Sequence, residues 1–501
     1  MQKPQAQSTS ESTLQKIISH AKEYGFVFPS SEIYDGLAAV YDYGQYGVEL
    51  KNNLKTLWWK AMTQLNDNIV GIDSAIFMHP LIWKASGHVD SFSDPMVDNK
   101  DSKKRYRADV LIEDKAAEYE KAGDETRGQQ LRNRLAHLLE ADDLENVRNL
   151  ILEEKIVCPI SGTSNWTEVR QFNLMFSTRM GAVAEDADTI YLRPETAQGI
   201  FVNFLNVQKT GRMRIPFGIA QIGKAFRNEV VARQFIFRMR EFEQMEMQFF
   251  VRPGTQKEWY EHWKATRRQW HEALGLPTEK LKFHNHEKLA HYADAAVDIE
   301  FEFPFGFKEI EGIHSRSDFD LRSHQELSRK KQQYFDNDLD ENGKPYGNYI
   351  PYVVETSVGA DRLFLAVLCN AYAEEEGVDA EGNVKTRTLL KLHPAIAPVK
   401  AAVFPLIKRD GLPEKANAIF EDLRYDFNII YEENNAIGKR YTRQDLIGTP
   451  FCIVVDHQTL EDDTVTIRHR DTAIQDRVKI SELHGIIAHA VSFKRVLEKL
   501  G

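Results

Sequence analysis

The chain has 501 residues, 42% of them hydrophobic, which is enough for two or three domains with a large core. Its 64 Lys and Arg against 75 Asp and Glu leave a formal net charge of −11, so wholesale polyanion binding is excluded and any RNA contact must be a local basic surface on an acidic body. Three scattered cysteines (Cys158, Cys369, Cys452) form no disulfide pattern and fit a reducing, cytoplasmic location, and no apolar run is long enough to span a bilayer.

Residues 1–13 are polar and Ser/Gln-rich, lack the apolar centre of a signal peptide, and are predicted to be a disordered tail. From Leu14 to Met62 helical patterns flank the segment GFVFPSSEIYDGLAAVYDYGQYG. A helix predicted from near Val48 carries Leu50, Leu54, Leu57, Trp58 and Met62 on one broad apolar face, which core packing explains. A charged stretch poor in Gly and Pro, at about 112–156, reads as a solvated helical hairpin inserted into the main domain.

The segment from Gly218 to Phe250 reads as two extended arms joined by a polar, arginine-bearing loop. In the second arm Met245, Met247 and Phe249 fall on one face, with Gln244, Glu246 and Gln248 on the other, the period of a half-buried antiparallel strand. The apolar face is expected to pack on a helix, leaving the carboxylate and amides on an open floor. Arg227, Asn228 and Glu229 end the first arm, and Arg238 and Arg240 open the second. Arginines on a rigid hairpin suit bidentate clamping of a phosphate chain, although cross-strand ion pairs on a solvated face explain such residues equally well. Residues 259–274 read as an amphipathic helix. His284, His286 and His291 follow it without carboxylate or thiolate partners at ligand spacing, and read as ordinary polar histidines. Further on, Tyr352 to Leu363 reads as an apolar strand, a small-residue turn, and a helix from Asp361 to about Ala373; Gly359 allows close approach and the helix start adds positive charge beside Arg362. From about Pro394 short strands at Ala401, Phe427 and Phe451 alternate with helices near 413–425 and 436–447, a βαβ-type unit.

Five segments, RPETAQGIF at 193–201, FRNE at 226–229, REFEQMEMQFF at 240–250, EIEGIHSRSDFDL at 309–321 and ETSVGADRL at 355–363, resemble in order the signature text of class II aminoacyl-tRNA synthetases, and within them the dimeric glycyl-tRNA synthetase family. The resemblance implies an α/β chain: a catalytic domain over 14–394 on a mainly antiparallel sheet, and a smaller α/β anticodon-binding domain over 395–501. It implies a homodimer that takes ATP with Mg²⁺, glycine and tRNA(Gly), activates glycine to glycyl-adenylate, and passes glycyl to the tRNA 3′ end. The 14–62 region corresponds to the first class II motif, which builds the dimer interface, with Gln45 and Tyr46 where relatives carry proline and leucine.

Residue by residue, the same likeness assigns ATP contacts to Arg227, Asn228, Glu229, Phe237, Arg238, Met239, Arg240, Glu241, Phe242, Glu309, Ile310, Gly359, Ala360, Asp361 and Arg362. Arg227 and Arg362 are the expected catalytic pair, Arg227 on the α-phosphate, and Arg238 and Arg362 on the outer phosphates; Glu229 reads the adenine edge and Phe242 stacks on the base. Glycine contacts fall on Arg107, Glu195, Phe242, Glu243, Gln244, Met245, Glu246, Glu355, Thr356, Ser357, Val358 and Gly359. Glu309 and Glu355 are Mg²⁺ candidates. The basic residues of the C-terminal unit, Lys439, Arg440, Arg443, Arg468 and Arg470, are candidate tRNA contacts, with simple solubility as the competing account of each. Many relatives carry paired cysteines around VDNKDSKKRYRAD and VCPISGTSNW; here only Cys158 remains, with Ser161 in a thiolate's place, so no zinc is expected. Two other functions stay open: a class II synthetase for another small amino acid, and a non-catalytic synthetase relative that binds nucleic acid.

Overall fold

The computed structural model describes residues 5–181, 188–230, 234–286, 289, 293–378 and 384–500. Helices and strands are mixed throughout, and the chain divides into two compact units, residues 1–75, 195–224 and 242–501 forming the first and residues 76–194 and 225–241 the second.

Seven strands form the central sheet of the first unit: β1 (Ile69–Gly71), β2 (Phe217–Phe226), β3 (Glu241–Val251), β4 (Leu281–Asn285), β5 (Ala295–Phe303), β6 (Gly306–Ser317) and β7 (Tyr352–Gly359). Their order is β4-β5-β6-β7-β3-β2-β1. Strands β4, β5, β6, β7 and β3 pair antiparallel in that order, and β1 runs parallel to β2. Met245, Met247 and Phe249 are buried on one face, where Phe249 meets Trp259 and Trp263 of the Gln256–Ala273 helix with ring centroids 4.8 and 5.3 Å apart. That is the helix-packed face expected from the alternation.

The opposite face is not the open floor that alternation alone suggested. Glu246 is 2% exposed and Gln248 is fully buried. The segment leading into the Ala197–Gly211 helix covers them: Thr196 donates its hydroxyl to Glu246, and Phe201 and Phe204 pack on Phe250 at 6.5 and 4.6 Å. A strand in the middle of a sheet with helices on both faces loses its solvated side.

The amino-terminal helix spans Gln5–Glu23, so the tail expected at 1–13 is helical from Gln5 onward. Ile17, His20 and Ala21 anchor it, and His20 Nε2 lies 2.8 Å from the Leu446 carbonyl oxygen. Toward the C-terminus β8 (Ala401–Pro405), β9 (Ile429–Tyr431), β10 (Phe451–Val455), β11 (Thr464–His469) and β12 (Gln475–Lys479) form a sheet in the order β9-β8-β10-β11-β12. The Leu412–Leu423 helix and the Ile437–Ile447 helix lie between its first three strands in sequence, the βαβ pattern expected there.

In the second unit Ser93–Asn99 pairs with Lys104–Arg107 and Arg170–Asn173. The charged insertion holds three helices, Ala108–Lys121, Glu125–Glu140 and Leu144–Glu153, where a two-helix hairpin was expected. Asp124 and Asp143 cap the second and third, accepting from the Arg127 and Asn146 N–H groups, so each marks a helix start that charge content hid. Ile112, Leu131, Leu135, Val147, Leu150 and Trp166 give this unit its own core.

Candidate active site

The register of the sheet sets the chemistry of its polar face. His314 pairs with Glu355, and Glu355 with Gln248, across β6, β7 and β3; one step along, Gly312 pairs with Ser357, and Ser357 with Glu246. These rows put Glu246, Gln248, Glu355, Ser357 and His314 on one surface. Gln248 Nε2 donates to Glu246 at 3.0 Å and to Glu355 at 2.6 Å, and Gln244 Nε2 reaches Ser357 Oγ at 3.3 Å. Arg316 donates to Glu355 at 2.9 Å and clamps Asp320 with two bonds of 2.9 and 3.1 Å. Gln198 joins Asp320 (3.0 Å) to Glu195 (2.9 Å).

Two carboxylates in this network are pushed in opposite directions. Burial, then the negative charge of Glu355 and Glu195, raises Glu246 well above the ordinary range. Burial would raise Glu355 too, but Arg316, His314 and Gln248 outweigh it and hold that carboxyl ionised. Burial thus favours the protonated form of Glu246, while Arg316, His314 and Gln248 favour the ionised form of Glu355. Arg316, His314, Thr196, Gln198 and Asp320 were not singled out from sequence, and Gln248 was placed on this face without a role; the alternation His314-x-Arg316 within HSRSDFDL is the signal that places two of them here.

Glu309 reaches the same face through an irregularity. A β-bulge between Ile299 and Glu300 makes Ile299 pair with Glu311 and Glu300 with Glu309, so the two acids of EIE part company. Glu309 stays half-exposed and bridges Arg362 at 2.8 Å. Glu311 is fully buried on the other face, bonded to Arg267 at 2.6 Å and His271 at 2.7 Å. The two Mg²⁺ candidates are not brought together. Glu355 lies opposite His314, five positions along β6 from Glu309, roughly 15 Å at strand spacing, and its oxygens are taken by Arg316, His314 and Gln248. Glu309 remains as the carboxylate able to meet a cation.

Asp361 does not face a ligand. It is 2% exposed and accepts from the Tyr43 hydroxyl, from Lys51 (2.6 Å) and from the Glu243 N–H (2.7 Å). Glu243 is tied to Lys51 (2.7 Å) and Lys55 (3.0 Å). These residues lock the Ala360–Ala371 helix and β3 to the Gln45–Thr63 helix. Gly359 needs no special backbone, because its Cβ would meet only the Arg362 side chain at 3.6 Å. The side chains of Met245, Ile310, Thr356, Val358 and Ala360 are buried.

In the second unit Arg227 donates its backbone N–H to the Arg240 carbonyl oxygen (2.9 Å) and its Nε–H to that of Pro194 (3.1 Å), and its guanidinium lies 5.4 Å from the Phe92 ring centroid. Asn228 N–H bonds Leu174 O at 2.8 Å, and Arg240 Nε–H bonds Glu229 O at 2.9 Å. Arg238 is one-third exposed, 3.7 Å from Glu229. Phe237 and Met239 are buried between these arginines in sequence and anchor the loop. Arg107 pairs with Asp94 at 3.2 Å and grips Asp109, Nε to Oδ1 at 3.1 Å.

Three of the five candidate tRNA residues are structural instead. Arg440 and Arg470 are 2% exposed and Arg468 is 7% exposed. Arg440 donates to Pro405 O and Leu406 O, Arg468 grips Asp445 at 2.9 and 3.1 Å, and Arg470 donates to Gly448 O at 2.6 Å and Leu392 O at 2.7 Å. A guanidinium with five donors satisfies clustered carbonyls that no other side chain satisfies as well. Lys439 and Arg443 stay accessible.

Around Cys158 the residues pair with one another. Its sulfur lies 3.1 Å from the Tyr106 hydroxyl and 3.3 Å from Ser102 Oγ, and Ser161 Oγ donates to Asn99 Oδ1 at 3.0 Å. Burial would raise the thiol, but hydrogen bonds from Ser102, Ser161 and Tyr106 bring it down to about 6. The histidine reading needs correction: His286 Nε2 lies 2.9 Å from Asp298 Oδ2, a carboxylate on β5. His291 lies outside the described residues.

Three family models match in order: glycyl-tRNA synthetase insertion domain 1 at residues 94–129 and 124–174, the tRNA synthetase class II core domain (G, H, P, S and T) at 177–372, and an anticodon binding domain at 400–489. The fold and its polar sheet face are thus those of a class II tRNA synthetase. Over 477 residues, 95% of this chain and 99% of the relative, the chain is 54% identical to the glycine–tRNA ligase of Chlorobaculum tepidum. It is 52% identical over 482 residues to that of Staphylococcus saprophyticus, covering 96% of this chain and 99% of the relative. The chain belongs to the glycine–tRNA ligase family.

Proposed function

We propose that this chain activates glycine with ATP and esterifies it to tRNA(Gly), working in the cytoplasm as a homodimer. The observation that carries the reading is the buried Glu246, bonded to Thr196 beside Glu195 and joined through Gln248 to Glu355. A substrate without a side chain must be held by its ammonium and carboxylate. Glu195 and Glu246 receive the ammonium, Ser357 and Gln244 close the space where a Cβ would project, and Arg316 fixes the orientation of Glu355 beneath them. Excluding one methyl from a filled rigid wall discriminates more strongly than the about 1–3 kcal/mol of a permissive apolar pocket.

The first step is an in-line attack of the glycine carboxylate oxygen on the α-phosphorus, with pyrophosphate leaving. No protein nucleophile is required, so the chain's contribution is positioning and charge stabilisation. Arg227 serves the α-phosphate, and Arg238 and Arg362 the outer phosphates; guanidinium groups keep their charge at any physiological pH. Glu229 reads the adenine edge and Phe242 stacks on it. Mg²⁺, when bound, neutralises the phosphate chain, and the half-exposed Glu309 carboxylate is an oxygen donor of the kind that ion takes. In the second step a hydroxyl of the terminal tRNA ribose attacks the glycyl carbonyl and AMP leaves. Lys439 and Arg443 supply the C-terminal contact with tRNA phosphates.

An ATP–pyrophosphate exchange assay run with glycine, alanine, serine and proline tests this. Exchange should depend on glycine alone. Exchange driven best by another amino acid would transfer the reading to a different synthetase, and none with any would leave a non-catalytic binding protein.

A further inference from the structure

The polar face of the sheet continues from Glu355 toward its β4 edge, where carboxylates and amides give way to imidazoles. His286 follows the end of β4, its N–H donating to Ala296 O at 3.1 Å. Ala296 pairs with His314 across β5 and β6, so the two imidazoles flank a single methyl group with ring centroids 5.9 Å apart. Asp298 stands two residues along β5 on the same face, its Oδ2 2.9 Å from His286 Nε2. One donor atom from each of the three lies within 4.8 Å of the other two. Gly312 pairs with Asp298, and a Cβ there would come within 2.9 Å of the His314 ring, so glycine is what leaves the imidazole its seat.

We propose that His286, Asp298 and His314 form a binding site for one late first-row divalent ion, zinc or cobalt in character, separate from the nucleotide's magnesium. Two imidazole nitrogens and a carboxylate oxygen suit such ions, whereas Mg²⁺ and Ca²⁺ favour all-oxygen sets. Donors around a tetrahedral ion at about 2.0–2.1 Å lie roughly 3.3–3.5 Å from one another, so the group closes by little more than rotamer adjustment. The outer support is in place. His314 Nδ1 lies 2.7 Å from Glu355 Oε1, the carboxylate–histidine relation that presents the remaining nitrogen to a metal. All three ligands are partly exposed, which gives an ion an entry path, and three protein ligands leave a fourth position for water. The expectation of a zinc-free chain rested on the lost thiolates near Cys158, and this site uses none of them.

The test uses chelator-treated full-length protein titrated with Co²⁺ without nucleotide. One Co²⁺ per chain should bind with the strong visible absorption of a four-coordinate ion, be displaced by equimolar Zn²⁺ and be indifferent to excess Mg²⁺. H286A and D298N, confirmed folded by circular dichroism, should each weaken Co²⁺ binding by at least about tenfold, since even outer-shell losses cost 10–100-fold. C158S should leave it unchanged. Failure to bind stoichiometric Co²⁺, binding that survives H286A and D298N, or a thiolate-to-metal band lost in C158S would each overturn the proposal.

Discussion

Replacing Glu246 with Gln removes an ionisable carboxyl while keeping its shape. Glu246 accepts from Thr196 and from Gln248 Nε2 at 3.0 Å. A glutamine oxygen keeps the Gln248 bond, and its amide faces the Thr196 hydroxyl, which can turn to accept. The fold is therefore preserved while the acid is removed. A hydrogen bond to a charged group contributes about 1.5–3 kcal/mol, so losing the ammonium acceptor should raise the KM for glycine by about ten- to a hundredfold. The KM for ATP should change far less. A second readout is independent of substrate. A carboxyl raised on folding stays protonated in the native state above the pH at which it ionises in the unfolded chain, so the wild type loses stability as pH climbs from the unfolded value toward the folded one. E246Q lacks that group and should lose less stability across the same interval, which thermal melts of both proteins from pH 4 to 8 will show. Parallel melts, or an ATP KM that rises before the glycine KM, would refute the reasoning.

R227A should lower glycyl-adenylate formation by roughly 10²–10³ with an unchanged melting curve, as expected for loss of one preorganised charge donor; wild-type exchange kinetics would reject its assignment. R470A should destabilise rather than weaken RNA binding, because each carbonyl it strands, on Gly448 and Leu392, costs about 1–3 kcal/mol; differential scanning calorimetry measures this. K439E should instead raise the KM for tRNA and flatten its salt dependence while melting normally. R267A should be among the most damaging core changes, about 3–5 kcal/mol by denaturant titration, since it leaves Glu311 fully buried without its main cation.

The hairpin, the strand before Gly359, the amphipathic helix and the βαβ pattern were legible because each is a local period. What covers a period is not local. Nothing near Gln248 in sequence announces that it bonds Glu355, 107 residues later, so the FEQMEMQ face looked open where Glu246 and Gln248 are in fact covered. His286 looked unpartnered for the same reason, since Asp298 and His314 become neighbours only through cross-strand register. Arg468 and Arg470 misled in the other direction. Formal charge suggests surface, yet a guanidinium on a long stem is also the best plug for a cluster of carbonyls. The Arg470 bond to the Leu392 carbonyl, with Arg387 holding Asp445 at 2.9 Å, ties residues on either side of position 394 together, so a chain cut near His393 would lose structural support.

The irregularity between Ile299 and Glu300 has a consequence for how this sheet tolerates change. In a regular ladder, acids two residues apart share one environment; here one is half-exposed beside an arginine and the other is fully buried. Their fates are decided by counting rather than by chemistry. A substitution scan would find Glu309 and Glu311 important without revealing why they differ. Inserting one residue into β5 at that point would restore the even count and force both acids to the same side, without altering either side chain.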